Sequence, residues 1–251
     1  KMAAVKVQSN GGSYTVAGIA KGAGMIAPNM ATMLCAIVTD AALEPPALQT
    51  ALIAAATASF NQIVVDGDMS TNDTVLLLAN GASGVRVEAD EALWAFRDAL
   101  RQVCVALAKA IVRDGEGATR FITVRVTGAP DVRSARRVAN TIATSPLVKT
   151  AFYGGDANWG RILAAAGRAG VPLEADKLAL WFAPGEEGQD DGLQLVAGGA
   201  PTDYAEAAAT DIVRLPAVRV RLDLGLGNAE ATVWTCDLSH EYVTINGSYR
   251  S

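Results

Sequence analysis

The sequence predicts an α/β fold, a layered sandwich of mixed or antiparallel sheets with flanking helices, and three observations carry that reading. The first is an alternation at the amino end, Val5 and Val7 against Ala4, Lys6 and Gln8, which turns at Asn10-Gly11 and resumes in "SYTVAGIAKG" as a β-hairpin does. The second is the set Leu93, Phe96, Leu100, Cys104, Leu107 and Ile111, whose spacings of three and four predict a helix over about 90–113, ended by Gly115 and Gly117. The third is a strand-rich last third: "LALWFA", "LQLVA", "AVRVRLDLG", "EATVWTCDLS" and "EYVTINGSY", with one helix near 204–212. Helices mixed with hairpins in this way argue against a doubly wound parallel sheet.

The remaining elements follow from local signals. The apolar run 33–38 reads as a strand, and "LEPPALQTALIAAATASF" as a helix with prolines in its first turn. "QIVVDGD" and "TVLLLANG" read as strands around a polar loop, 66–73. Then come strand "RFITVRVTG", helix "DVRSARRVANTIAT", strand "LVKTAFYGG" and helix "NWGRILAAAGRAG", the last with Asn158 as its N-cap. The acidic stretch "PGEEGQDDG" reads as a solvated hairpin connection. Composition marks no domain boundary.

At 251 residues the chain can bury a sizeable core without staples. No apolar run reaches the roughly 18 to 20 uncharged residues of a membrane span. The formal charge of −5 leaves no basic field for a polyanion, and Arg133, Arg136 and Arg137 do not reverse that. A soluble, cytoplasmic protein with neither nucleic acid nor membrane as partner is expected. Cys35, Cys104 and Cys236 are odd in number, widely spaced and set among apolar neighbours, which predicts reduced core thiols. There is no apolar leader of signal-peptide length. The chain opens inside a strand pattern at Lys1, and it is expected to be a piece of a longer protein.

Familiar site motifs fail. "GIAKGAG" lacks the spacing and the Lys-Ser/Thr end of a phosphate loop. "DGDMSTND" begins like a calcium loop at Asp66, Asp68 and Ser70, but Leu77 stands where a bidentate Glu belongs, so no metal is expected. The single histidine, His240, excludes a multi-histidine metal site and reads as an edge-strand surface residue. What remains is polarity among glycines at element ends: "VDGDMSTND", "RDGEGAT", "GGDANWGR" and "TINGSYRS". Each is either a turn with Asx hydrogen bonds or one wall of a polar pocket. A further ambiguity sits in "GMIAPNMATML". Thr32, preceded by Ala31, is either a β-branched strand opener or, after cleavage of the bond before it, an amino-terminal nucleophile whose own amine is its base.

Taken together, "GIAKGAGMIAPNMATML", "VDGDMSTNDT", "RDGEGATRF", "DANWGRI" and "EYVTINGSYRS" resemble the ornithine acetyltransferase family, the bifunctional glutamate N-acetyltransferases of arginine biosynthesis, from about Val5 to Ser251. The sequence departs from the family pattern at Tyr153 and Gly155, before "DANWGR". The resemblance implies a self-cleaving, amino-terminal-nucleophile type of α/β sandwich. The cut falls between Ala31 and Thr32, so that 1–31 closes an α piece and 32–251 forms a β piece. It implies substrate contacts at Lys21, Thr32, Glu116, Asn246 and Ser251. It also places a Thr-Gly oxyanion pair upstream of Lys1. The activity implied is acetyl transfer from N-acetylornithine to glutamate through acetyl-Thr32, with no cofactor, and with acetyl-coenzyme A as a second donor in bifunctional members. The α and β pieces are expected to assemble into a higher oligomer. Two other readings are an aminopeptidase or amidase of related fold, and an uncleaved inactive module.

Overall fold

The structure, a computed structural model, describes residues 1–9, 11–27, 33–88, 90–188 and 192–248. Asn10 of the expected hairpin turn, Ala31, Thr32 and Ser251 lie outside the described residues. The chain divides into two compact units, Lys1–Ile63 with Gly67–Asp114, and Val64–Asp66 with Gly115–Ser251.

In the first unit, β1 (Met2–Ser9) and β2 (Gly12–Lys21) form the antiparallel hairpin, Val5 opposite Val16. Strand β3 (Leu34–Thr39) runs antiparallel to β2, and helix α1 (Pro45–Thr57) starts on its two prolines. The short β4 (Ile63–Val64) marks the passage to the second unit. Strand β5 (Thr74–Ala79) then lies parallel to β3, and helix α2 (Asp90–Arg113) ends this part of the chain. The sheet order is β1-β2-β3-β5.

Helix α2 covers one face of that sheet through its three- and four-spaced stripe: Phe96, Leu100, Val103, Leu107 and Ile111 are fully buried. Gly18 of β2 permits the approach, since a Cβ there would stand 3.0 Å from Leu107 Cδ1 and 3.3 Å from Val103 Cγ1. The opposite face is apolar too. Met2, Ile19, Leu34, Val38, Leu76 and Leu78 are all exposed there, an uncovered patch of a kind that ordinarily marks an interaction surface.

The second unit holds β6 (Phe121–Ala129), α3 (Val132–Ala143), α4 (Pro146–Gly154), α5 (Trp159–Gly167), β7 (Ala179–Pro184), β8 (Leu193–Ala197), β9 (Ala200–Pro201), α6 (Glu206–Val213), β10 (Ala217–Asp223), β11 (Ala229–Cys236) and α7 (His240–Gly247). Its sheet runs β4-β11-β6-β10-β7-β8-β9. The β6–β10 pair is parallel, while β11–β6, β10–β7 and β7–β8 are antiparallel, so the sheet is mixed as expected. Helix α3 lies on β6 and β11, with α5 beside it, and Val138, Ile142, Val124 and Val220 meet in the core beneath. Phe152 and Phe182 join that core with ring centroids 5.9 Å apart.

Two elements differ from expectation. The segment "LVKTAFYGG" is helix α4, not a strand. Pro146 sits at its first turn, Val148, Ala151 and Phe152 bury at helical spacing, and Gly155 closes it at φ +69°. The segment "EYVTINGSY" is largely helix α7, with Ser239 as an N-cap accepting from Tyr242 N–H at 3.3 Å. His240 is therefore a first-turn residue packed edge-on to Tyr153, not an edge-strand residue. In both segments β-branched and aromatic residues imitate a strand, and the cap decides otherwise.

The three thiols are free and buried, as expected. Burial pushes Cys35 up to about 11 and Cys104 up to about 12; burial also raises Cys236, against the opposing pull of Lys149. Since the thiolate is the reactive species, the folded protein at pH 8 is expected to resist a thiol-alkylating reagent at all three positions and to accept three labels in denaturant. Rapid labelling of the folded protein, read by intact mass, would contradict this packing.

Candidate active site

The chain leaves α2 in the loop that carries Glu116. Gly117 has φ +69°, and a Cβ on it would stand 2.5 Å from Tyr242 N and 2.6 Å from Ser239 Oγ, so this loop accepts only glycine beside α7. Ser239 Oγ donates to Gly117 O at 2.6 Å while it caps α7. One hydroxyl thus ties the loop to the helix start.

The next residues are held by Asp237, whose side chain is wholly buried at the end of β11. Its Oδ1 accepts from Thr119 N–H at 2.8 Å and Arg120 N–H at 2.9 Å, and its Oδ2 accepts from the Thr119 hydroxyl. The Arg120 guanidinium lies 3.6 Å away and donates to Tyr153 O at 2.9 Å. A buried carboxylate with this many donors holds a loop rigidly, because leaving any of them unmade is costly.

A second buried charge adjoins the first. Lys149 of α4 donates to Thr235 Oγ1 at 2.9 Å and to Cys236 O. Burial pushes its ammonium pKa down, opposed by Cys236, Asp237 and Asp66. Asp66 also accepts from the Tyr242 hydroxyl at 3.3 Å. The end of β11, α4, the Glu116 loop and α7 are thereby joined within one unit.

On this frame two of the expected site residues meet. Asn246 of α7 donates from Nδ2 to Glu116 Oε2 at 2.9 Å, and the same amide donates to Tyr242 O one helical turn back. Glu116 is half-buried and Asn246 exposed, which leaves the pair open to a small polar ligand. Lys21, exposed at the end of β2 and opposite Leu34, belongs to the first unit. It lies at the edge of a surface concavity of about 620 Å³ lined by Ile19, Leu34, Thr74 and Leu76.

The polar stretch "GGDANWGR" resolves into local capping. Asn158 accepts from Arg161 N–H at 3.2 Å and donates to Asp156, the turn reading for that stretch. Among the described residues no cluster of His, Cys, Asp and Glu could hold a metal, and no helix is long and apolar enough to cross a membrane. Asp237 and Ser239 are not singled out by any motif in the sequence, although "CDLSHEY" carries a helix-start signal, Ser239 followed by the acidic first-turn residue Glu241.

The ArgJ family profile matches residues 1–251. The chain belongs to the ArgJ family. It is 49% identical over 244 residues to the arginine biosynthesis bifunctional protein ArgJ of Agrobacterium fabrum, covering 94% of this chain and 57% of that protein. It is 48% identical over 247 residues to the protein of the same name from Chlorobaculum tepidum, covering 98% and 59%. The chain thus spans well under two thirds of these relatives. The crystal structure of ArgJ from Bacillus halodurans matches with a TM-score of 0.77 and 39% identity, over 84% of this chain and 96% of that one. The ArgJ fold agrees with the mixed sheets and flanking helices described above, as the resemblance implied.

In this ArgJ-family chain the Asp237 contacts set the loop that presents Glu116. Replacing Asp237 by Ala is expected to cost about 3 to 5 kcal/mol of stability, the range for stripping one partner from a buried charged network, whereas Asp237→Asn retains one acceptor and costs less. Chemical denaturation of the two variants checks this; an Ala variant as stable as the parent would show that the loop is held without the carboxylate.

Proposed function

We propose that the chain supplies the acetyl-transfer chemistry of an enzyme of arginine biosynthesis, moving acetyl from N-acetylornithine to glutamate by way of acetyl-Thr32. The Glu116–Asn246 pair at 2.9 Å is the observation that carries the reading: a carboxylate oriented by an amide, open to solvent, suits the side-chain ammonium of ornithine. The relatives' printed name, arginine biosynthesis bifunctional protein, supports the pathway, and its word bifunctional supports acetyl-coenzyme A as a second acetyl source.

In this mechanism Thr32 Oγ first attacks the Ala31 carbonyl and displaces the Thr32 amine, so that the Ala31–Thr32 amide becomes an ester on Oγ, and water hydrolyses that ester to free the Thr32 hydroxyl and the Ala31 carboxylate. An α-amine has a reference pKa of about 7.7 to 8.0, so near neutral pH it takes the Oγ proton without a histidine. Thr32 then attacks the acetyl carbonyl of N-acetylornithine, the amine of ornithine leaves with a proton, and the amine of glutamate collects the acetyl group in a ping-pong cycle. Lys21 pairs with a substrate carboxylate, Glu116 with the ornithine ammonium, and Asn246 and Ser251 with polar parts of the substrate. Donors for the oxyanion, each worth about a hundredfold to a thousandfold in rate, come from the Thr-Gly pair of the longer protein.

Strands β2 and β3 stand on either side of the expected cut and are paired from Lys21–Leu34 to Val16–Thr39. The pieces made by cleavage therefore stay joined as neighbours in one sheet. We assign the exposed apolar face of that sheet to the remaining length of the protein, in keeping with the extra chain of the relatives. A cytoplasmic location fits this reading.

Denaturing intact mass of the purified protein is expected to give two pieces, the heavier beginning at Thr32, and Thr32→Ala is expected to give one uncut chain without transfer activity. Cleavage that persists in Thr32→Ala would remove the nucleophile. Glu116→Gln is expected to leave cleavage intact and to raise the KM for N-acetylornithine about tenfold or more, the loss of one charge-assisted contact of about 1.5 to 3 kcal/mol; unchanged kinetics would make Glu116 a turn residue only.

A further inference from the structure

Met33, the residue after Thr32, is held at both of its backbone polar groups. Met33 N–H donates to Asp73 Oδ1 at 2.7 Å, and Met33 O accepts from Thr74 N–H at 2.9 Å. Both bonds lie one residue ahead of the β3–β5 ladder, which begins at Leu34 opposite Thr74. Asp73 is half-buried and Met33 is buried. With Ile26, Ala27, Met33 and Asn61, Asp73 lines a small cavity of about 100 Å³, so residues from both sides of 28–32 line the same cavity as this carboxylate. Upstream, Met25 is the one non-glycine residue at positive φ, +54°, among the described residues. Burial raises the Asp73 pKa, and the bond from Met33 opposes that rise.

Peptide planarity gives the Asp73 bond its consequence. The Cα and carbonyl of residue 32 lie in one plane with the N–H of residue 33. A side chain that fixes that N–H sets the tilt of the plane, and with it the place of the residue-32 Cα and the Cα–C axis about which the Thr32 side chain turns. Self-cleavage breaks the bond before Thr32 and leaves this peptide intact, so one clamp serves precursor and mature enzyme alike. A charged acceptor makes the clamp shorter and about twice as strong as a neutral one.

We propose that Asp73 is a positioning residue for the nucleophile: by taking the Met33 N–H it orients the Thr32–Met33 peptide and so aims Thr32 Oγ at the acyl carbon, first of Ala31 and then of the acetyl donor. The proposal rests on Thr32 being the nucleophile. It assigns Asp73 no contact with substrate, and so predicts an effect on the rate of the chemical steps without an effect on substrate affinity.

The test measures self-cleavage rate, kcat and KM in the full-length protein for Asp73→Ala, Asp73→Asn and Asp73→Glu, with Thr32→Ala alongside and thermal midpoints for all. Asp73→Ala is expected to slow cleavage and kcat by about a hundredfold, the effect of misplacing a reacting group by 1 Å, with KM for N-acetylornithine unchanged within about twofold. Asp73→Asn keeps an oxygen acceptor at the same reach and is expected to stay within about fivefold of the parent, the scale of one weakened hydrogen bond. Asp73→Glu keeps the charge but moves the acceptor by a methylene, and is expected to be slower than Asp73→Asn. That ordering holds even if Asp73→Ala does not fold. Wild-type rates in Asp73→Ala, a defect confined to KM, or Asp73→Glu outperforming Asp73→Asn would each overturn the proposal. Cleavage by Thr32→Ala would instead overturn the nucleophile reading on which it rests, whereas an inert Thr32→Ala beside unaffected Asp73 variants would overturn the clamp alone.

Discussion

The second unit is organised by a buried carboxylate. Removing an unpaired carboxylate from water costs several kcal/mol even after the protein relaxes, and Asp237 offsets this with two backbone amides, a hydroxyl and a nearby guanidinium, all from Thr119 and Arg120. Those donors belong to the loop that carries Glu116. The strand end that holds Asp237 also supplies Thr235 and Cys236 O to the buried Lys149, and two residues later Ser239 caps α7 and grips Gly117. Four positions at the end of β11 and its exit, Thr235, Cys236, Asp237 and Ser239, therefore place α4, the Glu116 loop and α7. The Glu116–Asn246 pair is the exposed consequence of a buried network.

The first unit follows a different constraint, in which the sheet is apolar on both faces and only one is covered by helices. Gly18 lets α2 settle directly on β2, which seals that side through Leu107 and Val103. The uncovered side leaves Met2, Ile19, Val38 and Leu78 at the surface. The hairpin of β2 and β3 frames the stretch from Gly22 to Met33, with Lys21 opposite Leu34 closing it.

Much of this was legible in residue order. The β1–β2 hairpin, α1, α2, β6, α3, α5 and the strands of the last third are read from periodicity, from prolines at a helix start and from the Asn158 cap, all local signals. Helices α4 and α7 look like strands in the sequence because Val, Thr, Phe, Tyr and Ile make up about half of each, and a short β-rich run is settled by its cap and by which face its neighbours bury. Glu116 and Asn246 were legible only as parts of a family resemblance. Nothing local relates two residues 130 positions apart.

By itself, then, the sequence determined the class of fold, most elements, the burial of the three thiols and, through shared motifs, the residues to watch. These depend on side-chain periodicity and on short-range caps, which a linear chain displays. The tertiary structure alone decided that Glu116 meets Asn246, that Asp237 holds the loop between them, and that Asp73 takes the Met33 amide. A carboxylate in a sequence is equally a turn, a surface charge or a clamp, and its role is settled by which donors the fold brings within about 3 Å in the absence of competing water.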